Sequence, residues 1–490
     1  MSEPLAAQRC ATRATARAAR PRVVLYNPRA VFFTMPLALI AIGSELDPEL
    51  YEVVIVDGRL ESDPEGAVRA QLARGALCFG VTVLTGAPIS DALAISRLVK
   101  RLQPALPVIW GGWHPSMFAR ECLAEPAVDV TVRGQGEETF RELVQRLAEG
   151  RSLEGCAGCS VRLADGSIVE NPPRPLAPVE RFRAHDYRLI PVERYFALKG
   201  KRQLDFISSQ GCNFRCAFCS DPFVYGRRWV GLEPERMALR LRELWERYRF
   251  DDVNFQDETF FTRAPRVQAF AERLLELRLK VSWAATMRAD QGVRLPDEVW
   301  ARCKQSGLRR LLVGVESGSD EMLRRIRKDI RIEQVFHTVE RMLRHAIAGH
   351  FPFIVGFPDE SDASIRATLS CAKRLRALSP DFLTPIYYFK PYPGSELVRE
   401  AVARGFRLPD TLEAWAQFDY VAGLPGPWVT AEKFRLIERF KFFQELACQR
   451  VSRGRRLLQR LARYRCSRDE YRWPLEMLLT RWLLPAERLS

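Results

Sequence analysis

Between residues 22 and 148, short apolar runs alternate with amphipathic stretches. Arg22–Tyr26, Glu52–Asp57, Leu77–Leu84, Pro107–Gly112 and Val128–Arg133 are rich in Val, Ile and Leu and read as strands. Leu37–Leu46, Ser90–Leu102 and Glu137–Leu147 carry apolar residues at helical spacing. Strands that are apolar throughout and separated by helices predict an α/β unit built on a doubly wound parallel sheet. Such a sheet takes ligands beyond the carboxyl ends of its strands. The loops there read Asn27-Pro28, Asp57-Gly58, Thr85-Gly86, Gly111-Gly112-Trp113-His114-Pro115 and Arg133-Gly134-Gln135-Gly136-Glu137. Their glycines let backbone approach a bulky ligand. No G-x-G-x-x-G follows the first strand, which argues against a nicotinamide site.

Residues 149–200 read as a connector, with a hairpin signal at Ala164-Asp165-Gly166 and a Pro-rich stretch from Pro172 to Pro175. From 201 to 402 the alternation resumes. Strands are expected at Asp205–Ser209, Asp252–Phe255, Val281–Arg288, Leu311–Val315, Phe351–Gly356 and Phe382–Phe389, with helices such as Glu235–Tyr248, Arg266–Leu277 and Glu333–His345 between them. Six strand–helix repeats fit a partial barrel with its chemistry at the carboxyl mouth. Residues 403–490 read as helical, with aromatic positions at Trp415, Phe418, Tyr420, Trp428, Phe440, Phe443, Trp473 and Trp482. Packing of this region against the barrel is the expectation.

The formal net charge of +15 is concentrated in an Ala- and Arg-rich stretch over residues 1–21 and in a basic run that includes Arg453, Arg456, Arg460 and Arg463. The first is expected to be a disordered tail, with a transit peptide as the competing reading. The second reads as a solvated helix face; contact with a membrane surface is the weaker reading, and no specific nucleic-acid partner is expected. No apolar run reaches the length of a membrane span, and no signal-peptide core is present. Of the twelve cysteines, only Cys156/Cys159 and Cys212/Cys216/Cys219 are closely spaced. That usage suits a reducing cytoplasm rather than a secreted disulfide framework. Cys156 and Cys159 lack a partner pair and are a weak metal signal.

The strongest chemistry lies in Gly211-Cys212-Asn213-Phe214-Arg215-Cys216-Ala217-Phe218-Cys219, directly after a strand. Three soft thiolates on one tight loop select an iron–sulfur cluster or zinc, and structural zinc wants a fourth ligand. A cluster held by three thiolates keeps one iron open to chelate a substrate. Cys212, Cys216, Phe218 and Cys219 match the C-x-x-x-C-x-φ-C motif position by position, and here the sequence resembles the radical S-adenosylmethionine (SAM) superfamily. The resemblance implies a [4Fe-4S] cluster on Cys212, Cys216 and Cys219. Its open iron would bind the amino and carboxylate groups of SAM, and reductive cleavage would give a 5′-deoxyadenosyl radical that removes hydrogen from carbon. It further implies SAM contacts at Glu258 of Asp257-Glu258-Thr259, at Arg288, at Glu316 and Ser317, and at Gly356 beside the adenine. Arg288 is expected on a loop apart from the cysteines, where it would pair with the SAM carboxylate.

A doubly wound domain ahead of a radical barrel resembles the cobalamin-binding branch. Asp57, Gly111, Gly112, His114, Gly134 and Gly136 match its recurrent features and are the cobalamin-contact candidates; a spacer domain without ligand is the alternative. The D-x-H-x-x-G loop of domains that ligate cobalt through histidine is missing: Asp57 is followed by Gly58-Arg59-Leu60-Glu61-Ser62. Cobalamin is therefore expected without a histidine lower ligand. The resemblance implies a methyltransferase acting on an unactivated carbon of a small-molecule or natural-product-type substrate, with an external electron donor such as flavodoxin or ferredoxin. The anaerobic magnesium-protoporphyrin monomethyl ester cyclase shares this domain order and gives an oxidative, ring-forming alternative. A cobalamin or redox sensor is the rival from outside enzymology.

Overall fold

Val23, Val24 and Leu25 have no solvent exposure. A strand needs that character when it lies inside a parallel sheet covered on both faces. The computed structural model of the chain describes residues 20–30, 33–418, 425–448, 456–471 and 477. Residues 1–19 of the expected tail, with Tyr420, Trp473 and Trp482, lie outside the described residues.

The first sheet has seven strands in the order Glu52–Asp57, Arg22–Asn27, Cys78–Thr82, Val108–Gly111, Val130–Val132, Cys159–Arg162 and Ile168–Glu170. The first five are parallel. The hairpin signalled at Ala164-Asp165-Gly166 adds the last two strands, antiparallel, to the edge of this sheet. Helices Leu37–Ser44, Pro64–Leu72, Pro88–Leu102 and Glu137–Ala148 connect or follow the strands. The order reverses at Arg22–Asn27, so the crevice beyond its carboxyl end is where such a sheet takes a ligand.

The second sheet has six parallel strands in the order Phe382–Leu383, Ala348–His350, Leu308–Val313, Ser282–Met287, Asp252–Phe255 and Gln203–Phe206. It is an open, partial barrel. Its convex face is apolar: Phe255 and Trp283, with Phe260 and Phe270 from the flanking helical segments, form an aromatic cluster with centroids 4.6–6.0 Å apart. Of the strand expected over Phe351–Gly356 only Phe353–Val355 forms, with Ala348–His350 a separate strand ahead of it, and the strand expected over Phe382–Phe389 is broken in two; Phe353–Val355 pairs with Ile386–Tyr388 apart from the main sheet. Pro352 and Pro385 sit at the breaks, where a residue without an N–H cannot donate to the ladder.

The C-terminal region touches both units. Helix Ala431–Cys448 buries Ile437, Phe440 and Phe443 in the barrel core, and helix Leu412–Ala416 buries Trp415 in the core of the first sheet. Among the described residues, no helix is long and apolar enough to cross a membrane.

Candidate functional site

The cysteine loop is held at its base by an antiparallel pair, Ser209–Gly211 with Trp229–Gly231. Gly211 has φ of 85°, and a Cβ there would stand 2.3 Å from the Arg228 carbonyl oxygen, so the strand can enter the loop only through glycine. Ala217 pins the middle of the loop: its N–H donates to the Ile326 carbonyl at 2.8 Å and its carbonyl accepts from Leu397 N–H at 2.9 Å. Cys212, Cys216 and Cys219 are half-buried along this loop. Burial pushes the Cys212 thiol up to about 11 and the Cys219 thiol well above its ordinary value, with the Asp221 carboxylate adding to both. Protons must therefore leave when a metal binds. Among the described residues, no three His, Cys, Asp or Glu side chains converge on one point as ligands of a single ion would. Thiolates that each bind a different iron of a cluster need not converge so, and the donor set fits a cluster.

Arg288 N-caps the helix that follows strand Ser282–Met287. Its guanidinium stacks 3.7 Å from the Phe214 ring centroid, with Nη1 3.6 Å from Cys216 Sγ. Its Nε donates to Asp290 at 2.9 Å, and its Nη2 donates to the Lys328 carbonyl. Arg288 thus stands on a loop apart from the cysteines, as expected, but a turn after the strand folds its side chain back onto the cysteine loop. Lys328, which sequence reasoning missed, lies on the same side, with Nζ 5.9 Å from the Phe218 ring centroid and 2.8 Å from Glu316 Oε1. Glu316 adopts φ of 67°, a strained conformation for a buried non-glycine residue. A Cβ on Gly314 would fall 2.4 Å from Glu316 Oε1 and 2.8 Å from Lys328 Nζ, so glycine at 314 makes room for the pair. Ser317 is fully buried, its hydroxyl 3.1 Å from that of Thr368. Gly356 donates its N–H to Glu360 at 2.6 Å and accepts from Trp428 Nε1 at 2.6 Å. The polar groups of both are thus committed within the protein.

A cavity of about 360 Å³ lies between the two sheets. Gly111, Gly112, Gly134 and Gly136, together with Trp113, wall it from the carboxyl ends of the first sheet. Gln210, Tyr225, Gln256 and Glu258 wall it from the mouth of the second. A wall of glycines beside apolar side chains fits a broad, flat ligand such as a corrin. Gln135 Nε2 donates to Gln210 Oε1 and Gln210 Nε2 donates to Glu137 Oε1, both at 2.6 Å, so a chain of amides ties the two walls together. Glu258 turns into this cavity. Its Oε1 accepts from Tyr225 OH at 3.3 Å while Oε2 is buried with no hydrogen-bond partner. Burial, with the Asp221 and Asp257 carboxylates behind it, lifts its acid to about 8.

Two cobalamin candidates lie outside the cavity lining. His114 is buried against Phe118 and Trp415, at centroid distances of 5.1 and 5.6 Å, and its Nδ1 is 3.2 Å from Thr85 Oγ1. Burial drops its acid to about 4. Asp57 pairs with Arg59 at 2.6 Å and accepts from Tyr195 OH, which ties it to the connector. Sequence reasoning missed His185, a connector residue that does line the cavity and whose acid burial lowers to about 4. Cys156 and Cys159 are buried at the edge of the first sheet, away from the cavity lining. The Cys159 thiol donates to the Cys156 carbonyl and accepts from Asn171 Nδ2, each at 3.2 Å.

A B12 binding domain model matches residues 21–144, and a radical SAM superfamily model matches residues 206–372. An uncharacterized methyltransferase of Pyrococcus horikoshii is 31% identical over 395 residues, spanning 79% of this chain and 83% of that protein. Cytidylyl-2-hydroxyethylphosphonate methyltransferase of Streptomyces wedmorensis is 24% identical over 483 residues, spanning 86% and 89%. The anaerobic magnesium-protoporphyrin IX monomethyl ester cyclase of Synechocystis is 24% identical over 357 residues, spanning 72% and 70%. Among solved structures, the radical SAM methyltransferase TsrM from Kitasatospora setae superposes with a TM-score of 0.69 at 20% identity, over 78% of this chain and 76% of that one. The cobalamin-dependent SAM radical enzyme OxsB superposes at 0.65 and 21% identity, over 79% of this chain and 56% of that one. These superpositions show a shared fold.

Proposed function

Because the chain belongs to the radical SAM superfamily, in the branch that carries a B12-binding domain, we propose that it is a cobalamin-dependent radical methyltransferase acting on an unactivated carbon of a small molecule. The observation that carries the reading is the cavity walled jointly by the glycine-rich ends of the first sheet and the mouth of the second. A group bound on either wall is open to the other. When bound, the [4Fe-4S] cluster supplies the electron that cleaves SAM and cobalamin carries the methyl group.

The chain's own residues have the following roles in this reading. Cys212, Cys216 and Cys219 would hold the cluster, with an external one-electron donor of the flavodoxin or ferredoxin class as the source of electrons. Arg288 holds the SAM carboxylate with its planar fork. Glu316, fixed by Lys328, accepts from the ribose hydroxyls. Ser317 and Gly356 shape the adenine side of the pocket through packing, since their polar groups are committed to Thr368, Glu360 and Trp428. Gly111, Gly112, Gly134 and Gly136, with Trp113 beside them, would hold the corrin. Glu258 holds a proton at Oε2 inside the cavity and excludes a fixed negative charge from it at neutral pH.

Anaerobic reconstitution with iron, sulfide and cobalamin, followed by mass spectrometry of products from candidate small molecules, tests the reading. A product heavier by one CH2 unit supports it. Oxidation or ring closure without methyl gain replaces it with a cyclase-type reaction, and no SAM cleavage by the reduced enzyme replaces it with a sensor.

A further inference from the structure

The concave face of the second sheet is polar where its convex face is apolar, and the polar positions fall in two layers. Backbone register sets Asn254, Ala284, Arg310 and Ala348 side by side across four strands. One step toward the carboxyl mouth, Thr286, Leu312 and His350 form a second row, which Gln256 joins from beyond the end of its strand. A cavity of about 170 Å³ opens over these rows. Gln256 also lines the larger cavity, so the two spaces have a wall residue in common.

Arg310 reaches this face through an irregularity. The ladder between Ser282–Met287 and Leu308–Val313 pairs Trp283 with Leu308 and then Ala284 with Arg310, leaving Arg309 as an extra residue. A bulge of this kind re-aims side chains and brings two successive residues toward one face. Arg309 is neutralised there, its Nε and Nη2 donating to Asp252 at 2.6 and 2.5 Å. Asp252 is further occupied by Ser282 and Gln203. Arg310 has no ion pair or side-chain hydrogen bond among the described residues, and neither has the His350 imidazole. Ala284 and Ala348 flank Arg310 and leave the space beside its guanidinium unfilled. The guanidinium is half-buried and free to meet a ligand that enters the cavity.

We propose that the Arg310–His350 cavity is an oxyanion subsite, in which the guanidinium and the imidazole bind a carboxylate or phosphate-type group at one end of the substrate. Asn254, Gln256 and Asp257 line the same space; one N–H of the Gln256 amide is held by Asp205 Oδ1 at 3.1 Å, and the Asp257 carboxylate is turned to Ser208 and Ser209, which leaves Arg310 and His350 as the principal donors. A planar guanidinium suits such a group because it can donate two parallel hydrogen bonds. That this group belongs to the molecule being methylated rests on the function proposed above; that the cavity binds an oxyanion does not.

The full-length chain, labelled with 13C in its histidine rings, carries five reporters, and His350→Gln assigns the one at the site. Titration with inorganic phosphate and, separately, with acetate should give a saturable shift of the His350 signal with at least one of them. Arg310→Gln should weaken that response at least tenfold with the other four signals at their wild-type positions, and Arg310→Lys should retain part of it. The anion that binds more tightly tells a phosphate-type end from a carboxylate end. No response of His350 to either anion, or the same response in Arg310→Gln, overturns the proposal. The measurement needs neither cofactor nor methyl transfer, so failure here leaves the methyltransferase reading standing, and failure of methyl transfer leaves the subsite standing.

Discussion

Lys328 Nζ lies 2.8 Å from Glu316 Oε1, and the two side chains are 8% and 9% exposed. Removing one partner of such a pair leaves a buried charge without compensation, which typically costs about 3–5 kcal/mol. Lys328→Met is therefore expected to destabilise the chain by an amount in that range in urea unfolding, and the double variant Lys328→Met/Glu316→Gln to recover much of it. A loss below about 1 kcal/mol in the single variant would mean that the pair is hydrated, as exposed pairs are.

Replacing Cys212, Cys216 and Cys219 together by Ala should abolish the brown chromophore obtained on anaerobic reconstitution, since thiolates are the ligands in this reading. The loop itself should persist, because Ala217 is bonded on both sides by backbone rather than by the thiols. A triple variant that retains four irons per chain refutes the assignment.

Arg288→Ala is expected to keep its iron but bind SAM more weakly by about 1.5–3 kcal/mol, the worth of a hydrogen bond to a charged group. The contact of Nη1 with Cys216 Sγ adds a second effect. A cation beside a cluster favours its reduced form, so the variant should also have a more negative reduction potential. Arg288→Lys should restore more of the potential than of the affinity, since an ammonium replaces the charge but not the fork. Isothermal titration with SAM and electrochemical poising measure the two separately. Unchanged values in both return Arg288 to a packing role against Phe214.

The elements were more legible than the contacts between them. Strands such as Arg22–Asn27 announce themselves because burial on both faces demands a continuous apolar run. The cysteine loop was legible because its chemistry is local. His114 was not: Trp415, from the far end of the chain, packs over it and turns it into a core residue. Arg288 needed the path of the turn after its strand, and Lys328 needed the fold to bring Glu316 beside it. The concave face left a period-two signal, Asn254 with Gln256 and Arg310 set into an apolar strand, but only register across four strands makes those positions a cavity. Pro352 and Pro385 lie inside the strands expected over Phe351–Gly356 and Phe382–Phe389; the apolar pattern hid breaks that a residue without an N–H imposes.

Cob(II)alamin bound to the chain should give an electron paramagnetic resonance spectrum without nitrogen superhyperfine splitting from an imidazole. No histidine follows Asp57 in the loop, and His114 faces Phe118 and Trp415. His185 does line the cavity, so His185→Ala is the control. The same unsplit spectrum in both proteins bears the expectation out. Splitting that disappears in His185→Ala assigns that histidine to cobalt instead.

Glu258 gives the chain a pH dependence whose sign follows from its environment. Burial is the largest cause of its raised acid, followed by the Asp221 and Asp257 carboxylates, and the group titrates near 8 in the folded chain. An exposed Glu in the unfolded chain titrates near 4.3. Between those values the folded state binds a proton that the unfolded state has lost, so stability falls as pH rises. The contribution is fully present below about 4 and is used up by the time the pH has passed about 8, at roughly 1.4 kcal/mol per unit across the window. Asp257, Glu137 and Glu360 are also raised, chiefly by burial, and act in the same direction, so the wild-type slope alone does not isolate Glu258. The difference from Glu258→Gln does, because an amide keeps the contact with Tyr225 and cannot ionise. In the cofactor-free chain, the variant should gain stability relative to wild type from pH 5 to pH 8 in urea unfolding, with the gap flat above. Parallel profiles across that interval would place the Glu258 carboxylate in water, with its second oxygen solvated rather than enclosed in the cavity wall.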